Sequence, residues 1–242
     1  MQSVPSWLPP GFRISAVIPA LNEEHAIGQV IAEIPAWVAE TIVCDNGSTD
    51  RTAEIAAAAG ARVIRAGRRG YGSACQAGIQ AAERPDVIVF LDGDFSDYPA
   101  QMDRLVRPIA GGRAEMVIGS RIAGRRQRGA LTLQQRFGGA LACLLMQVIW
   151  GVAYTDLGPF RAISAAALGR LHMDDPDFGW TIQMQIRAAQ AGLRCVETPV
   201  DYRCRIGQSK ISGTIRGVAA AGWKILFTIW HERWNEARDL WK

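Results

Sequence analysis

Apolar and polar positions in the first half of the chain fall into two kinds of block. Short, nearly unbroken apolar runs are ISAVIPA (14–20), TIVCD (41–45), ARVIR (61–65), DVIVFLD (86–92) and EMVIGS (115–120). Between them lie longer stretches with helical character: EEHAIGQVIAEI (23–34), RTAEIAAAAG (51–60), GYGSACQAGIQAAE (70–83) and YPAQMDRLVRPIA (98–110). Apolar runs of this length fit strands covered on both faces. Their alternation with helices of ten or more residues predicts an α/β chain, with a doubly wound, Rossmann-like, mostly parallel sheet flanked by helices. The glycine- and alanine-rich block 70–83 is expected to pack closely on that sheet.

The second half reads differently. An Arg-rich loop (121–130) precedes the uncharged stretch FGGALACLLMQVIWGVAYT (137–155), and then TDLGPFRAIS (155–164). A helix over 178–192 and a strand-like LRCVETPVDYRCR (193–205) lead to the tail GTIRGVAAAGWKILFTIWHERW (213–234). The uncharged stretch approaches the length of a membrane span, but Gly138, Gly139, Gln147 and Gly151 dilute it. A buried or interfacial helix is the expectation. Tryptophans 223, 230, 234 and 241 among Lys224, Arg233 and Lys242 suit a membrane interface or packing on the body, and both stay open. No repeat or low-complexity tract divides the chain.

Ligands of open α/β sheets bind beyond the carboxyl ends of the strands. Asn22 and Glu23 follow the first strand, Asp45 and Asn46 the second, and Asp92 and Asp94 the fourth. Two carboxylates one residue apart repel, so a cation is expected between them. Mg²⁺ or Mn²⁺ fits, because both take oxygen ligands and share them with phosphates. Lys and Arg number 27 against 23 acids, and the excess is clustered at Arg121, Arg125, Arg126 and Arg128 and again at Arg203, Arg205 and Lys210. Such clusters point to a phosphate-bearing partner. Few aromatics are interleaved with them, so nucleic acid is not indicated. GRRGYGSACQAG matches neither GxGxxG nor a Walker loop, which argues against dinucleotide binding and leaves Arg68 or Arg69 near phosphate.

Five scattered cysteines, no CxxC pair and three histidines argue against disulfides and structural zinc and favour a reducing compartment. The start MQSVPSWLPPGFR lacks the features of a signal peptide. A cytoplasmic enzyme is expected, with peripheral contact to the inner face of the cell membrane as an open alternative.

VIPALNEE, VCDNGSTD, FLDGDFSDYP, VIGSR, DLGPFRAI and RIGQSKISGT, in this order over residues 14 to 216, resemble an inverting family 2 glycosyltransferase, in particular the dolichyl- or polyprenyl-phosphate sugar transferases. The resemblance implies a single GT-A catalytic domain over 1–242. Residues 12–120 would form its nucleotide-sugar half, 121–215 its acceptor-side half and 216–242 a C-terminal amphipathic helix. It implies a nucleotide diphosphate sugar as donor, UDP-glucose or GDP-mannose. It places Pro19, Leu21 and Glu23 at the nucleotide, Val43 and Asp45 at the base, and Asp92, Gly93 and Asp94 at the diphosphate and metal. Arg121 matches a phosphate-contacting arginine, and Arg205 and Lys210 match cations near the diphosphate. Ser96 stands where relatives carry a metal-binding Gln, and Asn46 where they carry a second Asp. No transmembrane tail is expected.

The first expectation for the acceptor is a polyprenyl phosphate at the membrane surface, which is already ionised and needs no base. The alternative is a hydroxyl on a lipid or small metabolite, which needs one. Asp174, Asp175 and Asp177 precede the 178–192 helix. Asp177, nearest the helix, serves either as that base or as a helix cap. Gln183, an amide, cannot be a base. A non-catalytic nucleotide-sugar binder is the alternative of another class, and the intact Asp92 and Asp94 speak against it.

Overall fold

The structure is a computed structural model that describes residues 4–207 and 215–239, and in the last helix the side chains of 222–236. Among these residues the strands are β1 (Ile14–Ala20), β2 (Glu40–Asp45), β3 (Arg62–Arg65), β4 (Val87–Phe90), β5 (Met116–Ser120), β6 (Arg161–Ser164) and β7 (Cys195–Pro199). They form one sheet in the order β3-β2-β1-β4-β6-β5-β7. All pairs are parallel except those of β6, which runs antiparallel to β4 and β5. The helices are α1 (Ile27–Ala32), α2 (Thr52–Ala58), α3 (Tyr71–Ala81), α4 (Met102–Ala110), α5 (Leu133–Trp150), α6 (Ala165–Leu171), α7 (Trp180–Gln190) and α8 (Ile215–Asp239). The expected α/β sheet is present, mixed by the one reversed strand.

Apolar clusters cover both faces of the sheet, which is why the strand sequences lack alternation. α3 lies close on the sheet, as its small residues imply. A β-carbon on Gly78 would sit 2.4 Å from Val17 Cγ1 and 2.7 Å from Cys44 Sγ, so any larger residue would push the helix away. A third cluster joins α5, α7 and α8 through Met146, Ile182, Ile186 and Ile229.

The pattern did not disclose β6. RAIS is short and opens with an arginine, yet Arg161 is 1% exposed. Its guanidinium donates to the carbonyls of Gly158 (2.6 and 3.0 Å) and Thr181 (2.7 Å), which meets the cost of burying it. β4 ends at Phe90, two residues before the expected end, and α1 begins at Ile27 rather than at 23. The α1 start is set by the preceding loop, where Asn22 takes φ 52° and the Glu23 N–H donates to Thr52 Oγ1 at 2.7 Å.

The uncharged helix starts earlier than its apolar stretch, at a Thr132–Gln135 capping box, and ends at Gly151 in the left-handed region. It is not a buried helix throughout. Leu133, Phe137 and Val148 are 76, 73 and 74% exposed, and Trp223, Trp230 and Trp234 of α8 are also exposed. Among the described residues no helix is long and apolar enough to cross a membrane.

Candidate active site

The carboxyl ends of β1, β2 and β4 sit side by side, because β1 pairs with β2 on one edge and β4 on the other. Their loops are laced together. Asn22 N–H donates to Ser48 Oγ at 2.9 Å, Thr49 N–H to Asn22 Oδ1 at 2.8 Å, and Asn46 N–H to the Ala20 carbonyl at 2.8 Å. Asp45 is 3% exposed, and its Oδ1 accepts from Ser48 N–H at 2.9 Å. Asp50, one residue before the α2 N-cap Arg51, accepts from Thr52 N–H at 3.0 Å, and Ser48 holds the β1 loop. Asn46 accepts from Gly70 N–H at 3.0 Å and ties this rim to α3.

Leu91 is still buried, and the chain then turns through Asp92, Gly93, Asp94 and Phe95, the last at φ 66°. Asp94 is 3% exposed. Its Oδ1 accepts from Ser96 N–H (2.9 Å) and Oγ (2.5 Å), and its Oδ2 pairs with Arg205. The Arg205 guanidinium also lies 4.0 Å from Glu23 Oε1, so it gathers the β1 and β4 loops around one positive charge. Asp92 accepts from Tyr71 OH at 3.2 Å. Burial and the Asp94 charge push the Asp92 carboxyl up to about 7, against the pull of Arg205 and Arg121. Asp97, 1% exposed, is raised well above the usual carboxylate range for the same reasons. Its Oδ1 has no partner among the described residues.

This donor set is too rich in negative charge to be at rest alone, and a guanidinium already stands in beside Asp94. Asp92 and Asp94 therefore fit a divalent cation that takes its other ligands from phosphate and water. Among the described residues no cluster of three His, Cys, Asp or Glu side chains could enclose a metal alone. Gly93 is buried, but a β-carbon there would meet its neighbours no closer than 3.5 Å, so alanine would also fit.

Arg121 does not reach freely for phosphate. Its Nε and Nη2 donate to both oxygens of Asp156 at 2.7 and 2.8 Å, and the pair is mostly buried. Asp156 is held below the usual carboxylate range by Arg121 and by backbone donors. Arg203, expected among the phosphate-facing cations, is structural. It pairs twice with Glu33 (3.0 and 2.8 Å), donates to the Phe95 and Asp97 carbonyls, and lies over the Phe95 and Tyr98 rings. It thereby pins the turn that carries Asp94. Pro19 is buried at the end of β1, with Leu21 half-buried just beyond it. Val43 is in the core, so its side chain faces no ligand. Lys210 lies outside the described residues.

Asp177 stands before α7 and does not cap it: no side chain caps that helix, and only the Asp177 carbonyl accepts, from Trp180 N–H at 3.1 Å. The residue is half-buried, and its carboxylate has no hydrogen-bond partner among the described residues. Asp175 and Asp174 are engaged elsewhere, and Gln183 is buried between them and α8. Tyr71, Asp97 and Asp156 are parts of the site that sequence reasoning gave no place there, and Arg203 has a structural role where a phosphate-facing one was expected. Only Asp97, in DGDFSD, and Asp156, in DLGPFR, were marked by their motifs.

Residues 15–178 match glycosyl transferase family 2, and the chain belongs to that family: it is a GT-A-fold glycosyltransferase. It is 36% identical over 222 residues to an uncharacterized glycosyltransferase of Mycobacterium tuberculosis, covering 89% of this chain and 99% of the relative. It is 32% identical over 225 residues to a dolichyl-phosphate hexose transferase of Haloferax volcanii, covering 91% and 95%. Among solved structures it is similar to glucosyl-3-phosphoglycerate synthase from Mycobacterium tuberculosis in complex with Mn²⁺, UDP-glucose and phosphoglyceric acid. The TM-score is 0.76 at 27% identity, over 92% of this chain and 80% of that one.

The acceptor in that complex is a small phosphorylated acid, observed together with the donor. This overturns the expectation of a polyprenyl-phosphate acceptor, which had rested on the arginine clusters, the uncharged stretch 137–155 and the tryptophan-bearing tail as well as on resemblance, and favours the hydroxyl acceptor held as the alternative.

Proposed function

We propose that this chain is an inverting hexosyltransferase that moves glucose from UDP-glucose to a hydroxyl of a small anionic metabolite. The observation that carries this reading is the gathering of Glu23 and Asp94 around Arg205, with Asp92 in the same turn as Asp94 and the buried Asp45 on the same rim. The 12–120 half would hold the donor, with Pro19, Leu21, Glu23, Asp45 and the Val43 main chain around the nucleotide. The 121–215 half would hold the acceptor.

Asp92 and Asp94 would hold Mn²⁺ or Mg²⁺, which supplies charge neutralisation at the departing diphosphate. Arg205 would turn from Asp94 toward the diphosphate, and Lys210, five positions on in the sequence, would add a second cation. Asp177 takes the proton of the acceptor hydroxyl. The oxygen forms its bond to the anomeric carbon on the face opposite UDP, and the bond to the diphosphate oxygen breaks with its electron pair going to UDP. In-line positioning and placed charge do most of the work.

An open surface cavity of about 200 Å³ is a candidate place for the acceptor. It lies between Arg121 and Asp156 on one side and Gln135, Arg136 and Gly139 of α5 on the other. That is below the roughly 300 Å³ at which pockets for drug-sized ligands begin, and it suits a small molecule with one or two acidic groups. Purified protein with UDP-glucose and Mn²⁺ is expected to release UDP faster on addition of phosphoglyceric acid than with water alone. Equal rates across a panel of small phosphorylated and carboxylated hydroxy acids would end this acceptor assignment.

The exposed face of α5 and α8 favours peripheral lipid contact as a second reading. Residues 116–155 carry five arginines and no carboxylate, and the tryptophans of α8 lie outward. The protein is expected to co-sediment with vesicles containing phosphatidylglycerol and to stay in the supernatant with phosphatidylcholine alone. No sedimentation with either would dismiss the contact.

A further inference from the structure

The segment 174–177, which carries Asp177, is held from two sides. On one side is the first turn of α3. Ser73 N–H donates to the Pro176 carbonyl at 2.9 Å, and a β-carbon on Gly72 would fall 2.0 Å from the Asp175 carbonyl oxygen, so only glycine allows this approach. Tyr71, in the same turn, donates to Asp92. The segment that carries the candidate base and the Asp92 carboxylate thus both contact the first turn of α3.

The other side is α8. Lys224 Nζ lies 2.8 Å from Asp175 Oδ2, while Asp175 Oδ1 accepts from the Asp177 N–H at 2.8 Å. The Asp175 N–H donates to Gln183 Oε1 at 2.9 Å, and the Gln183 amide donates to Glu232 of α8 at 2.8 Å and to Asp174 at 2.7 Å. Arg187 bridges Glu232 and Asp174, both at 2.9 Å. Asp175 and Glu232 are 8% and 3% exposed. Apolar side chains would join α7 to α8 as firmly, because burying charge carries a desolvation cost that pairing only partly returns. Charged residues here do something an apolar seam cannot: they set direction. One Asp175 oxygen grips the backbone of Asp177 and the other is aimed by Lys224.

We propose that Lys224 is a positioning residue for the transfer reaction, acting through Asp175 to hold the Asp177 carboxylate toward the acceptor. This makes α8 part of the catalytic unit, and it rests on the reading of Asp177 as the base. A small rotation of the 174–177 turn would leave the donor site intact and misplace the base. Misplacement on the order of 1 Å lowers turnover by up to about 100-fold.

The test uses the full chain with Mn²⁺ and UDP-glucose, following UDP release with water and with phosphoglyceric acid. Lys224→Met is expected to lower kcat roughly 10- to 100-fold while leaving the KM for UDP-glucose unchanged. Lys224→Arg is expected to recover most of the loss. Asp177→Asn is run alongside. If Asp177→Asn is inactive while Lys224→Met keeps the wild-type kcat, the positioning role is overturned and the base assignment stands. If Asp177→Asn retains full turnover, the base assignment falls, and the role of Lys224 with it. Should Lys224→Met fail to fold, as judged by circular dichroism, Lys224→Gln and Lys224→Arg decide. Equal kcat in those two overturns the proposal, because they differ in charge.

Discussion

Asp94→Asn is expected to reduce turnover on the order of 10³-fold and to abolish the Mn²⁺-dependent stabilisation by UDP, with little loss of stability in the unliganded protein. The first part follows from the role proposed for this carboxylate. An amide oxygen is a weaker ligand for a hard cation, and losing one charge-stabilising group at a departing anion costs about 10²–10³-fold by itself. The second part follows from the crowding of charge at the β4 end. Asp92 is pushed from 3.8 to about 7, by burial first and by Asp94 next. The folded protein keeps that proton at pH values where the unfolded chain has lost it. The metal-free fold therefore weakens as pH rises from about 4 toward 7. Asparagine at 94 removes part of this repulsion, which offsets the lost pair with Arg205. Thermal melts with and without UDP and Mn²⁺, read beside UDP release, check both parts. A variant that keeps its Mn²⁺-dependent shift and its rate would show that the cation sits elsewhere.

Asp177→Asn is expected to lower kcat by about 10²–10⁴-fold and to leave both the melting temperature and the UDP-dependent shift near their wild-type values. The geometry separates these effects. The Asp177 carboxylate has no hydrogen-bond partner among the described residues and no cap to maintain. An amide there forfeits no hydrogen bond among the described residues, and it cannot accept the proton. A drop in melting temperature without a change in rate would reverse the assignment and make Asp177 a structural residue.

Much of the donor side was legible because it depends on short-range order. In a parallel sheet each strand delivers its following residues to the same rim, so Glu23, Asp45 and Asp94 could be placed together from strand order alone. The close approach of α3 was readable from its small residues for a similar local reason. The roles of the arginines were not legible. Arg121, Arg203 and Arg205 look alike in the chain. One is locked to Asp156, one to Glu33 and two carbonyls, and one to Asp94. Their partners lie 35, 170 and 111 positions away, and nothing local selects them.

The sequence by itself determined the strand and helix alternation, the family and the carboxylates at the strand ends. These follow from burial pattern and from motifs whose spacing is set within a single turn. Only the tertiary structure decided that β6 runs backwards through the sheet, and that α8 reaches the turn bearing Asp177 through Lys224 and Asp175. Long-range pairing of charged groups depends on where the elements come to rest. A lysine on a helix carries no local mark of the carboxylate it will meet.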